Sequence, residues 1–221
     1  MLVICRSVKG GAGTSVVAAA LASLSSRTTS TLLVDLAGDQ PAIFGSVTPV
    51  AGLADWLQSP HGDPILGTAI DVDDRLRVLP SGDSPLPHST STSWAELTRH
   101  LVEISRAPTN IIVDLGSVVS PPVLLDAADR VLLVVRPCYL TLRRAVALGD
   151  IADSVIVVDE DQRALRPRDV ESVLGLPVAA VVKVHPMIAR RVDAGILHGR
   201  LPDSLVSPLR EVFGESTRAA S

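Results

Sequence analysis

Short apolar segments recur along the chain, and most of them are apolar at every position rather than alternating with polar residues. Strands that are apolar on both faces are typical of a parallel sheet covered by helices on its two sides. Seven segments fit this pattern: residues 2–5, 31–35, 76–79, 110–114, 131–135, 155–158 and 178–182. They predict the central strands of such a sheet.

Between these segments lie stretches with apolar residues at helical spacing: residues 14–26, 51–58, 93–106, 122–128, 140–151, 168–174, 187–194 and 204–213. Strands and helices therefore alternate along the chain, which predicts an α/β fold. We expect a doubly wound, mostly parallel sheet with helices on both faces. No linker divides the pattern, so we predict one domain over residues 1–221.

Composition supports this architecture. Apolar residues make up 47% of the 221 positions and aromatic residues only 2%, so the core is built mainly from Val, Leu, Ile and Ala. A net charge of -4 excludes a surface that attracts nucleic acid as a whole and does not support nucleoid or membrane association. The arginine pairs at 143–144 and 190–191 are predicted to lie on solvated helix faces.

The cysteines and the N-terminal residues indicate in which cellular compartment the protein is expected. Cys5 and Cys138 lie far apart without CxxC spacing, which favours buried free thiols over an iron-sulfur or zinc site. The first apolar run is too short for a signal peptide, and no stretch approaches 18 uninterrupted apolar residues. We expect a cytoplasmic protein, with peripheral attachment to a membrane or nucleoid as the alternative.

The stretch VKGGAGTS links the first predicted strand to the first predicted helix. Glycines in such a turn direct backbone N–H groups and the positive end of a helix dipole at one point, which suits a phosphate. The alternative is a plain tight turn. Ser15 is predicted either to coordinate Mg²⁺ or to cap the helix. The candidate binding residues are Lys9, Gly10, Gly11, Ala12, Gly13, Thr14 and Ser15.

The segment KGGAGTSVVAAALA resembles the deviant Walker A box KGGxGK[ST] of the ParA/MinD family of P-loop ATPases. The likeness covers most of the chain. It extends to TLLVD, to NIIVDLGSVVSPPVLLDAADRVLLVVRPCYLTLRRA and to LPVAAVVKVHPMIARRVDAG. The resemblance implies ATP and Mg²⁺ as ligands and a homodimer that encloses two nucleotides. In that dimer the lysine matching Lys9 reaches the phosphates bound by the other subunit.

Thr14 departs from the family pattern, because it occupies the place of the second lysine of the box. A hydroxyl brings one hydrogen bond but no charge, so we expect affinity to fall about ten- to a hundredfold unless Lys9 compensates. The GGxGTS ending is similar to the TadZ/CpaE branch, whose members help to localise pilus-assembly machinery. Lys9, however, is retained here, unlike in many of those proteins.

Acidic residues follow two of the predicted strands. Asp114 ends the strongest apolar segment and is predicted to hold Mg²⁺, directly or through water. The resemblance implies that Gly116 senses the γ-phosphate in switch II, although DLGSVV departs from the usual D-x-P-x-G. Switch I commonly contains D-x-D, and here Asp35 is followed by Ala37 at the second position. Asp39 can take the place of that second carboxylate if the loop folds back.

These departures predict slow hydrolysis or none, because Ala37 cannot orient water and Thr14 supplies no charge for the transition state. Lys9 and Asp39 remain the candidate catalytic residues. The resemblance places an adenine-reading residue near Asp159, which is equally well explained as a turn residue after a strand.

Two functions fit the sequence. The first is an ATP-dependent positioning or partitioning switch that dimerises through Lys9 and recruits an unidentified protein partner. The second is a nucleotide-free scaffold that retains the fold and acts as an interaction module. The C-terminal segment LVSPLREVFGESTRAAS has a short apolar face, which predicts packing against the domain rather than membrane targeting.

Overall fold

The computed structural model describes residues 1–47, 51–58, 65–88, 92–118, 121–149, 152–161 and 163–214. Eight strands form one sheet in the order β3-β4-β2-β5-β1-β6-β7-β8. All neighbouring strands pair in parallel except β3, which runs antiparallel to β4 at one edge. The elements of this fold are β1 (Leu2–Arg6), α1 (Thr14–Ser25), β2 (Ser30–Asp35), α2 (Gln40–Ile43), α3 (Leu53–Gln58), β3 (Ile70–Asp71), β4 (Leu76–Leu79), α4 (Ser93–Arg106), β5 (Thr109–Gly116), α5 (Pro122–Asp126), β6 (Arg130–Val135), α6 (Tyr139–Leu148), β7 (Ser154–Asp159), α7 (Pro167–Leu174), β8 (Val178–Lys183), α8 (Pro186–Asp193) and α9 (Asp203–Gly214).

Successive residues of each strand enter different cores, which explains why the strands are apolar at every position. In β1, Val3 packs with α1 and α9 on one face, whereas Leu2 and Ile4 pack with α3, α4 and α5 on the other. A third cluster joins β6 and β7 to α6 and α7. The predicted doubly wound sheet with helices on both faces is therefore confirmed.

The C-terminal helix α9 packs on β8 and α1, as its apolar face predicted. Cys5 is buried, as expected, but Cys138 is only half-buried at the start of α6; both are free thiols. No helix in the described ranges is long and apolar enough to cross a membrane.

Candidate functional site

The carboxyl ends of the central strands meet at one edge of the sheet, where the glycine-rich turn joins β1 to α1. Gly11 and Gly13 have φ angles of 75° and 94°, in the left-handed region that favours glycine. Gly13 is the N-cap of α1, and no side chain in the described ranges caps this helix. The N–H groups of the first turn and the positive end of the helix dipole are therefore available to an anion.

An open cavity of about 580 Å³ lies over this turn, large enough for a small-molecule ligand. A Cβ added at Gly10 or Gly11 would contact nothing within 4 Å, so the cavity approaches the backbone closely there. Its walls are Ser7, Gly10, Gly11, Ala12, Gly13, Thr14, Ser15, Val16, Ala37, Asp39, Ala42, Ile43, Gly116, Ser117, Val118, Arg136, Val192 and Asp193. Most of the predicted loop residues are thus brought together around one space.

Thr14 lies at the first position of α1 and lines the cavity, although only 5% of its surface is exposed. Its Oγ1 atom is buried and has no hydrogen-bond partner among the described residues. A buried hydroxyl without a partner is unfavourable, and such groups in native proteins often await a ligand. This orphaned donor is the feature of the turn that most directly fits a bound phosphate.

The loop after β2 folds back toward this turn. Asp35 is fully buried and accepts hydrogen bonds from the backbone N–H groups of Ala37, Gly38 and Gln40, at 3.0, 2.7 and 3.0 Å. It therefore shapes the loop and does not itself line the cavity. Gly38 has a φ of 90°, which makes the reversal possible.

The reversal brings Asp39 to the glycine-rich turn. Ser15 Oγ donates a hydrogen bond of 3.2 Å to Asp39 Oδ2, so Ser15 is engaged by the loop rather than capping its own helix. The proposed role of Asp39 as a substitute for the second carboxylate of switch I requires that the loop folds back, and the loop has this conformation. Ala37 instead lies against Gly116, where a Cβ added to the glycine would approach the Ala37 Cβ to 2.9 Å.

Asp114 is buried beneath the cavity at the end of β5, beside Asp35 in the parallel register. Gln40 Nε2 donates to Asp114 Oδ2 at 2.7 Å and to the Ser15 carbonyl at 3.0 Å. Gln40 is fully buried, and its Oε1 has no hydrogen-bond partner in the part of the chain that the structure describes. The amide thus occupies the side of the carboxylate that faces the turn, a contact that the sequence analysis missed.

The two buried carboxyls have raised pKa values. Burial raises the pKa of Asp35 to about 7, the charge of Asp114 adds to this, and the three backbone hydrogen bonds oppose it. Burial also raises the pKa of Asp114, while hydrogen bonds from Gln40, Ser15 and Gly116 lower it and the charge of Asp39 raises it. The pair therefore favours bound protons or a nearby cation.

The cations of the site differ from the predicted set. Lys9 is half-buried and is not among the residues that line the cavity. Arg136, directly after β6, is the lining residue that carries a positive charge. Sequence analysis missed it because nothing in the segment VVRPCYL distinguishes an inward arginine from a surface one.

A second, mostly apolar cavity of about 250 Å³ adjoins the first along α1 and α8. Gly13, Val16 and Arg136 line both cavities, so the two spaces form one continuous crevice. Asp159 ends β7 beside Lys183 but lines neither cavity, and its Oδ1 is buried with no hydrogen-bond partner among the residues described. The structure does not bring this predicted base-reading residue to the crevice wall.

The sheet order, the glycine turn and the crevice together define a P-loop NTPase fold of the ParA/MinD type. It is shared by a ParA family ATPase from Chlorobium tepidum, with a TM-score of 0.74, 21% identity and coverage of 94% of this chain and 96% of that one. MinD from Pyrococcus horikoshii, complexed with Mg-ADP, has a TM-score of 0.75, 16% identity and coverage of 100% and 97%.

Sequence relatives extend the comparison. The uncharacterized protein Rv3660c of Mycobacterium tuberculosis is 29% identical over 236 aligned residues, covering 96% of this chain. The aligned part is 63% of the relative, so the chain spans less than two thirds of its length. No protein-family model matches the chain.

Proposed function

We propose that the chain is a ParA/MinD-type switch that binds ATP with Mg²⁺ at residues 10–15 and dimerises around the nucleotide. The observation that carries this proposal is the uncapped start of α1, where Thr14, whose buried hydroxyl has no partner among the described residues, lines an open cavity. Backbone N–H groups and a helix dipole suit a polyphosphate even without the usual lysine. The neighbouring apolar cavity is suited to the base.

The donor set also fits a magnesium ion. Ser15 and Asp39 offer oxygen atoms to the cavity, and the carboxylate of Asp114 is buried beneath it. Mg²⁺ in nucleotide sites commonly uses one or two protein ligands together with phosphate and water. When bound, it would neutralise phosphate charge. Before Asp114 can contribute, Gln40 must release Oδ2.

Hydrolysis is proposed to be slow or absent. Asp39 accepts the Ser15 hydroxyl, so its carboxylate is committed to that contact rather than to orienting water. Ala37 has no group that could do so, and Thr14 adds no charge. Binding, rather than turnover, would then drive the switch, and residues 1–221 would act as one domain with a partner that is not identified.

Calorimetry with ATP·Mg²⁺ followed by analytical ultracentrifugation tests the switch. We expect the wild type to bind ATP and to sediment as a dimer only with nucleotide. Lys9→Ala should remain monomeric, since the ammonium group proposed to reach the partner's phosphates is removed. Arg106→Ala is the matched control, because it removes one positive charge from an exposed position outside both cavities, and it should dimerise. A sedimentation coefficient independent of nucleotide in the wild type would contradict the proposal.

A nucleotide-free scaffold is the second candidate, and one observation favours it. Gln40, Asp39, Ser15 and Asp114 already satisfy one another's hydrogen bonds in part. A site whose polar groups are internally paired has less to gain from a ligand. A TadZ/CpaE-like role in localising other machinery remains a proposal for either candidate.

A further inference from the structure

Arg136 stands where the phosphate-binding turn and the apolar cavity meet. It follows the last residue of β6, and it lines both cavities together with Gly13. The side chain is 37% exposed, so the guanidinium is neither fully solvated nor sealed in the core. This position lies within the crevice rather than on the outer surface.

The hydrogen bonds of Arg136 are incomplete. Nη1 donates to Glu160 Oε1 at 2.7 Å, while Nε is buried and has no partner among the described residues. Glu160 is shared, because Arg163 binds its other oxygen, Oε2. The hydrogen bond from Arg163 lowers the pKa of Glu160, as do the charges of Arg136 and Lys9. Glu160 therefore remains ionised and retains a cationic partner if Arg136 leaves.

The other charged side chains around the cavity are negative and would repel an anion. Asp39 and Asp193 line it, and within the described walls Arg136 supplies the positive side-chain charge. Thr14 has no charge to offer. A triphosphate in this space would meet two carboxylates, and backbone dipoles alone would have to offset them.

We propose that Arg136 is the in-subunit phosphate ligand of this site. When nucleotide binds, Arg136 exchanges Glu160 for an oxygen of the nucleotide. It thereby replaces the lysine whose position Thr14 occupies. This inference rests on the proposed nucleotide-binding function. The planar guanidinium keeps its charge at all relevant pH values and can donate to two phosphate oxygens at once. Arg163 holds Glu160 during the exchange.

The exchange predicts a coupling between Arg136 and Glu160. Arg136→Ala should weaken ATP·Mg²⁺ binding about ten- to a hundredfold, the loss expected for charge-assisted hydrogen bonds. Glu160→Gln should tighten binding several-fold, because the competing carboxylate is removed. In the Arg136→Ala background, Glu160→Gln should change affinity less than about twofold.

Titration calorimetry of the full chain with ATP·Mg²⁺ measures these four affinities, and thermal melting checks that each variant is folded. Arg99→Ala is the matched control: it removes the same charge from another glutamate partner, Glu103, lies outside both cavity walls, and should leave affinity within about twofold. An equal loss in this control would show an effect of net charge alone and would overturn the inference.

The remaining outcomes separate the two proposals. If the wild type binds ATP and Arg136→Ala binds it equally well, the role of Arg136 is wrong and the switch survives. If the wild type shows no binding heat or melting shift with ATP, the proposed function fails and this inference with it. Should Arg136→Ala not fold, tighter binding by Glu160→Gln still supports the exchange, and unchanged binding refutes it.

Discussion

Thr14 is a buried residue whose hydroxyl destabilises the folded chain when no ligand is bound, because it makes no hydrogen bond to the described residues. Thr14→Val keeps the shape and removes the unpartnered oxygen, so we expect the free energy of unfolding to rise by about 1 kcal/mol. ATP affinity should fall about three- to tenfold if the hydroxyl serves the phosphates. Urea unfolding and calorimetry measure the two effects.

Thr98→Val provides the comparison for this substitution. Thr98 is equally buried, but its hydroxyl donates to the Trp94 carbonyl at 2.7 Å in α4, far from the turn. We expect no gain in stability and no change in ATP affinity. If the Thr14→Val protein binds ATP with the affinity of the wild type, the Thr14 hydroxyl does not contribute to phosphate binding.

Asp35 makes stability depend on pH. Its pKa in the folded chain, raised by burial to about 7, lies above the ordinary value of 3.8. Between these values the folded state holds a proton that the unfolded state has lost, so stability decreases as pH rises toward 7. Urea midpoints should fall from pH 5 to pH 8.

Asp35→Asn should flatten this dependence, because it removes the titrating group while keeping an acceptor oxygen for the loop amides. Asp114, whose pKa is also raised, contributes in the same direction and leaves a residual slope. An equally steep decline in the variant would show that other groups cause it.

At the level of elements, the backbone after α8 touches the loop that carries α2. Gly195 has a φ of 65°, and a Cβ there would lie 2.5 Å from the Gly45 Cα. Gly195→Ala should therefore cost about 2 kcal/mol or more, through strain and a backbone clash. Urea unfolding tests this, and Gly199→Ala, with no atom within 4 Å of the added Cβ, should be nearly neutral.

Helices and strands could be predicted from the sequence where their burial produces a recognisable pattern of apolar residues. All seven predicted strands are present, because each contributes apolar residues to hydrophobic clusters on both faces of the sheet. Among the described α-helices and strands, two were missed: α2 has four residues and β3 has two, too few to show a period. The strand order was not predicted either, since it depends on crossovers between segments distant in sequence.

Only the part of the candidate site that is formed by backbone atoms of the glycine-rich turn could be predicted from the sequence. Glycines 11 and 13 have the left-handed φ that their turn requires. Gln40 and Arg136 were missed, because their roles depend on side-chain directions set by α2 and by the end of β6. Residue type alone did not distinguish them from surface positions.

For the whole molecule, ligand binding and stability are linked. At an ATP concentration one hundred times the Kd, binding to the folded state adds about 2.7 kcal/mol. For a chain of this size that corresponds to a rise in Tm of about 5–10 °C. No rise with millimolar ATP·Mg²⁺ would favour the scaffold, and ATP without Mg²⁺ gives the contribution of the metal.

The position of β1 in the middle of the sheet has a consequence for biosynthesis. Leu2 pairs with Ile111, and Val3 pairs with Arg130, so this strand cannot be completed until more than a hundred further residues have been made. At translation rates of about 5–20 residues per second, that interval lasts roughly 5–20 s. During that interval the nascent chain therefore exposes an apolar strand that has no neighbour to pair with.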